Sequence, residues 1–148
     1  MSEQSIPMVT VEMPYVRTLG PVMSRFFTGL RDREIWANTT EGGTVQCPPF
    51  EYDPSSGHAA TDDWVQLDGS GTVSSWAWIE EPLRNHLLQE PFAWALIRLD
   101  GADTDLVHAV RVADKDQMRT GMRVAVRWRD ERVGSIRDIE CFEPEEAS

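Results

Sequence analysis

From Thr72 onward the chain breaks into five short stretches of strand character, and this segmentation limits the fold more than any other feature. Thr72–Glu80 comes first, with Trp76 and Trp78 on one face and Val73, Ser75, Ala77 and Ile79 on the other. Phe92–Leu99 follows and stops at Asp100-Gly101, a strong turn signal. Leu106–Val112 is third. Arg123–Trp128 alternates cleanly, placing Val124, Val126 and Trp128 opposite Arg123 and Arg127. Ile136–Phe142 is last, with Ile136, Asp138, Glu140 and Phe142 set against Arg137, Ile139 and Cys141. A period of two lets one face of each strand enter a core. The one long interruption, Glu81–Glu90, reads as a loop or a single helical turn across a barrel mouth. Asp114–Arg119 reads as a short helical or turn segment. Five short strands with one long interruption fit a Greek-key barrel of the OB type.

Upstream the pattern changes. Gly20-Pro21 opens a helix, since proline suits the first turn. Val22, Phe26, Phe27 and Leu30 share one helical face, with Arg25, Arg31, Asp32 and Arg33 on the other side. Such a helix either packs on its own barrel or docks on another protein. Residues 35–63 carry turn chemistry at Gly42-Gly43 and at Pro54-Ser55-Ser56-Gly57. Two short hairpins are marginal in water by themselves, so Ile35, Trp36, Val45, Phe50 and Tyr52 are expected to hold them by packing. Ahead of the helix, Val9, Val11, Met13 and Tyr15 keep the strand period while Pro7 and Pro14 break any helix. That stretch is a loose tail or an arm laid against a partner.

The order of landmarks resembles a known family. These are the two-part zinc-ribbon and OB-fold proteins that accompany thiolase-like acyl-CoA enzymes. The landmarks run from about Gly20 to Phe142: the helix Pro21–Glu34, Pro48-Pro49, Asp53–Gly57 (DPSSG, where the family has CPxCG), Trp64–Trp76, Pro91–Val110 and Thr120–Trp128. Within the family the chain is most similar to free-standing partners of lipid-transfer-type thiolases and steroid side-chain aldolases. A zinc ribbon needs four thiolate or imidazole ligands. Here Thr39, Gly42, Asp53 and Ser56 occupy the ligand positions that the resemblance assigns. It therefore implies a degenerate, metal-free ribbon, although His58 and Asp62 lie close to the second turn. In the family the helix lies away from the barrel.

Composition narrows the functions. The formal net charge of −11 opposes nucleic acid, whose phosphates supply most non-specific binding, and opposes anionic membrane surfaces. Six tryptophans raise the idea of base stacking, but the cations near them, Arg84, Arg98, Arg127 and Arg129, are sparse for a stacking groove. Cys47 and Cys141 are too few and too far apart for a disulfide framework or a metal site. No run approaches the ~18 apolar residues of a membrane helix, and the start of the chain lacks a signal-peptide pattern; a cytoplasmic location is the expectation. No Ser or Cys sits with a histidine in a nucleophile setting, and His58, His86 and His108 are scattered. Gly69-Ser70-Gly71 reads as a tight turn and not a phosphate loop.

The chain is therefore expected to be mainly β: an extended arm over 1–18, a helix with the degenerate ribbon over 19–63, a barrel over 64–143 and a disordered tail over 144–148. The resemblance implies a non-catalytic accessory subunit, without a cofactor, in a hetero-oligomer with a thiolase-like enzyme that binds most of the acyl-CoA. For the steroid branch, the reaction is retro-aldol cleavage of a side chain. Phe26, Phe27, Leu30, Trp76, Trp78 and Trp94 are the candidate interface. The alternative is a stand-alone acyl-CoA or lipid carrier using Arg84 and His86, and a nucleic-acid binder comes third.

Overall fold

The computed structural model describes residues 7–145. After an extended segment, α1 (Gly20–Arg31) leads into a three-stranded antiparallel sheet built from β1 (Ile35–Thr40), β2 (Val45–Gln46) and β3 (Ala60–Leu67), in the order β2-β1-β3. Then come β4 (Ser70–Ile79), β5 (Phe92–Leu99), β6 (Leu106–Val110), β7 (Arg123–Trp128) and β8 (Ile139–Pro144). These five close into a barrel in the order β4-β5-β6-β8-β7. Its neighbours are antiparallel except β6 and β8, which run parallel. This is the mixed OB-fold barrel that the strand pattern implied. Trp64 falls within β3 and pairs with Asn38, so the barrel strands begin at Ser70.

One apolar cluster runs through both parts. Inside the barrel it contains Val73, Ala95, Ile97, Leu106, Val124, Ile139 and Phe142; it continues through Leu67, Ile35, Ala37 and Cys47 to Leu30 and Phe26 of α1. The β5 backbone comes close to β4 at Gly71, where an added Cβ would lie 2.7 Å from the Arg98 carbonyl oxygen. On the rim, the Arg123 guanidinium bonds Asp100, Thr72 and Glu145, which ties β7 to the β5 turn and to β8. The site is exposed, where such pairs contribute little individually.

Three expectations change. The first concerns the helix. Phe26 and Leu30 are fully buried and Phe27 is half-buried against the same cluster, so the apolar face of α1 is spent on the chain's own body. The second concerns β4. Val73 pairs with Ile97 but Ser75 pairs with Leu96, so Ser74 is an extra residue in a bulge. A single extra residue reverses the facing of everything after it. Trp76 and Trp78 therefore join Val73 on the barrel side. The third concerns the last strand. Ile136–Asp138 is a turn of 3-10 helix. The Ser135 hydroxyl accepts from the Arg137 N–H, and the Asp138 carboxylate accepts from the N–H groups of Val133, Gly134 and Ser135. These caps satisfy the backbone locally, so the strand starts only at Ile139.

His108 belongs to the barrel core. It is 1% exposed and its ring meets Phe142 edge-on at 5.5 Å. Its Nε2 lies 3.4 Å from the Ile136 carbonyl oxygen, while Nδ1 has no protein partner.

Two measurements check this account. Phe26→Ala removes a fully buried ring and is expected to cost about 3–5 kcal/mol of stability, read from urea unfolding; a cost typical of an exposed site would contradict the packed helix. Burial pushes the His108 imidazole down to about 4. As pH falls through about 6.5 the unfolded chain takes up this proton first, so stability drops until pH about 4 and is constant with respect to this group outside the window. The full effect is on the order of 3 kcal/mol. His108→Leu is expected to flatten the upper part of that profile, between about pH 6.5 and 5, where model carboxylates are still ionised. An unchanged slope would rule out His108 as its source.

Candidate functional site

Side-chain hydrogen bonds and a ring contact hold the turns of the ribbon region together. Its two turns face each other. The Asp53 carboxylate accepts from the Ser55 N–H at 2.8 Å and from the Thr44 hydroxyl at 3.1 Å. These bonds, the Ser55 N–H foremost, hold its carboxyl below the usual carboxylate range. The His58 ring lies directly over Gly42, where an added Cβ would come within 2.5 Å of Nδ1. Of the four ligand-position residues, Gly42 is thus the seat of an imidazole and Asp53 the hub of a hydrogen-bond network. Thr39 lies in β1, and its carbonyl accepts from the Thr61 hydroxyl at 2.8 Å. The Ser56 hydroxyl accepts from the His58 N–H at 3.3 Å. Among the described residues no three His, Cys, Asp or Glu side chains converge as a metal set.

The barrel clasps this region. The Val45 N–H donates to the Asp103 carboxylate and the Asp103 N–H donates back to the Val45 carbonyl, at 2.9 and 2.8 Å. One turn further, the Cys47 N–H donates to the Thr104 hydroxyl, which donates to the Cys47 carbonyl. On the other side, the Arg25 guanidinium lies between the Trp36 and Trp64 rings, 5.0 and 4.7 Å from their centroids. This sandwich pins α1 to β1 and β3.

The candidate interface residues do not form one surface. Trp76 and Trp78 pack on the barrel core, whereas Trp94 sits on the opposite face of β5 with Phe92, Ile79 and Leu87. The Glu81–Glu90 segment contains no helix and folds onto that second face through Leu87 and Leu88. His86 is absorbed there. Its ring meets Phe92 and Trp94 edge-on at 5.5 and 5.9 Å, and its Nδ1 accepts from the Leu83 N–H at 3.1 Å. Arg84 is exposed. The Arg137 guanidinium donates to the Asn85 carbonyl at 2.9 Å, which links this loop to the turn ahead of β8.

Sequence reasoning missed the apolar residues that stay in solvent. Leu96 and Val107 oppose each other across β5 and β6 on the outer face. Phe50 and Tyr52, expected to hold the hairpins by packing, instead project into solvent from the ribbon end. The signal for Leu96 and Val107 lies in the strand period: Leu96 alternates with buried Ala95 and Ile97 in β5, and Val107 with buried Leu106 and His108 in β6.

The two thiols are poor nucleophiles where they stand. Burial pushes Cys47 up to about 12 and Cys141 to about 11, so both are protonated at neutral pH.

Residues 64–129 match the family model of the ChsH2 C-terminal OB-fold domain. The ChsH2-like segment spans β4 to β7 and includes the clasp residues Asp103 and Thr104. Among solved structures, one titled "Ltp2-ChsH2(DUF35) aldolase" superposes with a TM-score of 0.58 at 24% identity, covering 81% of this chain and 91% of that one. A DUF35 protein of unknown function from Sulfolobus solfataricus superposes with a TM-score of 0.56 at 21% identity, over 72% of this chain and 78% of that one. At these identities the superpositions establish a shared fold. No curated protein matches the sequence. The likeness to ribbon and OB-fold proteins read from the sequence thus holds in chain order and in fold.

A chelator test follows from the ribbon geometry. The thermal midpoint of the purified protein is expected to be unchanged by EDTA and by added zinc. A drop with EDTA that zinc restores would mean that the ribbon holds a metal after all.

Proposed function

We propose that this chain is the non-catalytic accessory subunit of a hetero-oligomeric aldolase, bound to a thiolase-like enzyme that carries the reacting groups and holds most of the acyl-CoA. The observation that carries this reading is the match of residues 64–129 to the ChsH2 C-terminal OB-fold domain. The internal chemistry agrees with it. Both thiols are buried and protonated, His108 is locked in the core, and His86 is engaged by its own loop and neighbouring rings. Leu96 with Val107 on the barrel, and Phe50 with Tyr52 on the ribbon end, leave apolar side chains in solvent, and the reading assigns them to contact with the partner.

The proposed reaction is retro-aldol cleavage of a β-hydroxyacyl-CoA. The bond between the α and β carbons breaks, the β-hydroxyl loses its proton to become a carbonyl, and the α carbon gains a proton as the shortened acyl-CoA leaves. The steroid side chain is the proposed substrate class, by resemblance. In this scheme the accessory chain stabilises the partner and shapes the approach to its site. No helix of the described residues is long and apolar enough to cross a membrane, and the net charge of −11 speaks against nucleic acid.

Tagged full-length protein, purified from its native cells and analysed by light scattering, is expected to elute in fixed ratio with an aldolase or thiolase-like subunit identified by mass spectrometry. The complex is expected to cleave β-hydroxyacyl-CoA while the chain alone does not. A monomer that ignores such an enzyme would refute the reading.

A further inference from the structure

The segment ahead of α1 is the least satisfied part of the molecule. Met8, Val9, Val11, Met13, Tyr15 and Val16 are each between 73% and 100% exposed. Residues 7–19 contain no helix or strand, and no backbone hydrogen bond ties residues 8–18 to the body. Pro7 and Pro14 forbid a helix there, and Met13, ahead of a proline, is biased to extended backbone. In that conformation Val9, Val11, Met13 and Tyr15 share one side, which is wholly apolar. At ~3.3 Å per residue such an arm spans about 40 Å, too long to be satisfied by a local pocket. At its root, Arg17 and Leu19 line a groove of about 350 Å³ with Val22, Met23, Phe50 and Tyr52. Phe50 and Tyr52 are 45% and 59% exposed, so the apolar surface continues from the arm onto the ribbon end.

Charge separates the possible occupants. Residues 7–19 carry one acid, Glu12, and one base, Arg17, whereas the whole chain carries −11. A net charge of this size disfavours the association of two copies. The barrel is closed, and the outer edge of β3 presents exposed Asp62 and Asp63; charges of this kind on an edge strand discourage pairing. The body thus offers the arm no good strand edge, in its own copy or in another.

The geometry points to residues 8–16 adding as an extended strand to the catalytic subunit of the aldolase complex, in an apolar cleft bordered by an open strand edge, with Val9, Val11, Met13 and Tyr15 filling the cleft. This rests on the accessory-subunit reading above. In strand addition the main chain supplies affinity and alternate side chains supply specificity. Pro14 has no N–H to give, so one rung of the ladder is absent at that position.

The test uses the full-length chain and the catalytic subunit identified by co-purification. Amide hydrogen exchange over residues 8–16 is measured with and without that subunit, and affinity is compared with a Val11→Asp/Tyr15→Asp variant. Both residues lie outside the core, so the variant is expected to keep the wild-type unfolding midpoint. Slowed exchange across the arm in the complex, with affinity reduced about tenfold or more in the variant, is the expected result. A wild-type complex with an unprotected arm and an equal variant affinity overturns the arm's role and leaves the accessory reading standing. Failure of the wild type to bind overturns both. A dimer of the chain alone with a protected arm overturns the proposal in favour of a second copy.

Discussion

Everything in this structure depends on burying the ribbon region against the barrel. Two short hairpins cannot stabilise themselves in water, and in a zinc ribbon the metal supplies the missing free energy. Here Ile35, Ala37 and Cys47 enter the same apolar cluster as Ile97 and Phe142. The Asp103 and Thr104 clasp then satisfies the β2 backbone at Val45 and Cys47. At Cys47, which is fully buried, such hydrogen bonds matter less for their net strength than for the cost of leaving those groups unmade. The clasp thus fixes position while burial supplies the stability. The helix follows from the same constraint: Phe26 and Leu30 seal the cluster from the far side, and the Arg25 sandwich holds α1 in register over Trp36 and Trp64.

A fused core has a consequence for how the molecule works. With α1, the ribbon and the barrel sharing one cluster, relative motion between them would open apolar surface at roughly 25 cal/mol per Å². The unit therefore presents its outer residues in fixed relation. Leu96 and Val107 on the barrel, and Phe50 and Tyr52 on the ribbon end, are held by a rigid frame. Rigid presentation reduces the ordering cost of association, which suits a subunit whose contribution is shape.

Much of the fold was legible in the sequence because its signals are periodic. All five barrel strands were visible as short strand-like runs, three of them alternating, and Gly20-Pro21 marked the helix start. The errors lie where one residue breaks the period. Ser74 is invisible to a count of alternation, yet it moves Trp76 and Trp78 to the barrel side, away from Trp94, which packs with Phe92 and His86. Ser135 and Asp138 cap a 3-10 turn inside what reads as strand. The fate of the helix face was undecidable from sequence, because an amphipathic stripe looks the same whether its partner is intramolecular or not. Of the candidate site, Phe26 and Leu30 proved to be core, His86 proved to be part of a loop's own packing, and Arg84 stays in solvent.

The ribbon turns are closed by contacts among their own side chains. Once the neighbouring barrel satisfies β2, the turns need only be held closed, and that requires far less than a tetrahedral metal provides. One carboxylate with a hydroxyl and an amide donor closes the second turn at Asp53. A bare Gly42 lets the His58 ring close the gap between the turns by contact. Any side chain at Gly42 would push that ring away, so the glycine serves packing there. The arrangement frees the ribbon end from the geometry of coordination. Phe50 and Tyr52 project from the ribbon end as apolar contacts, beside the root of an arm whose apolar side chains stay in solvent among the described residues.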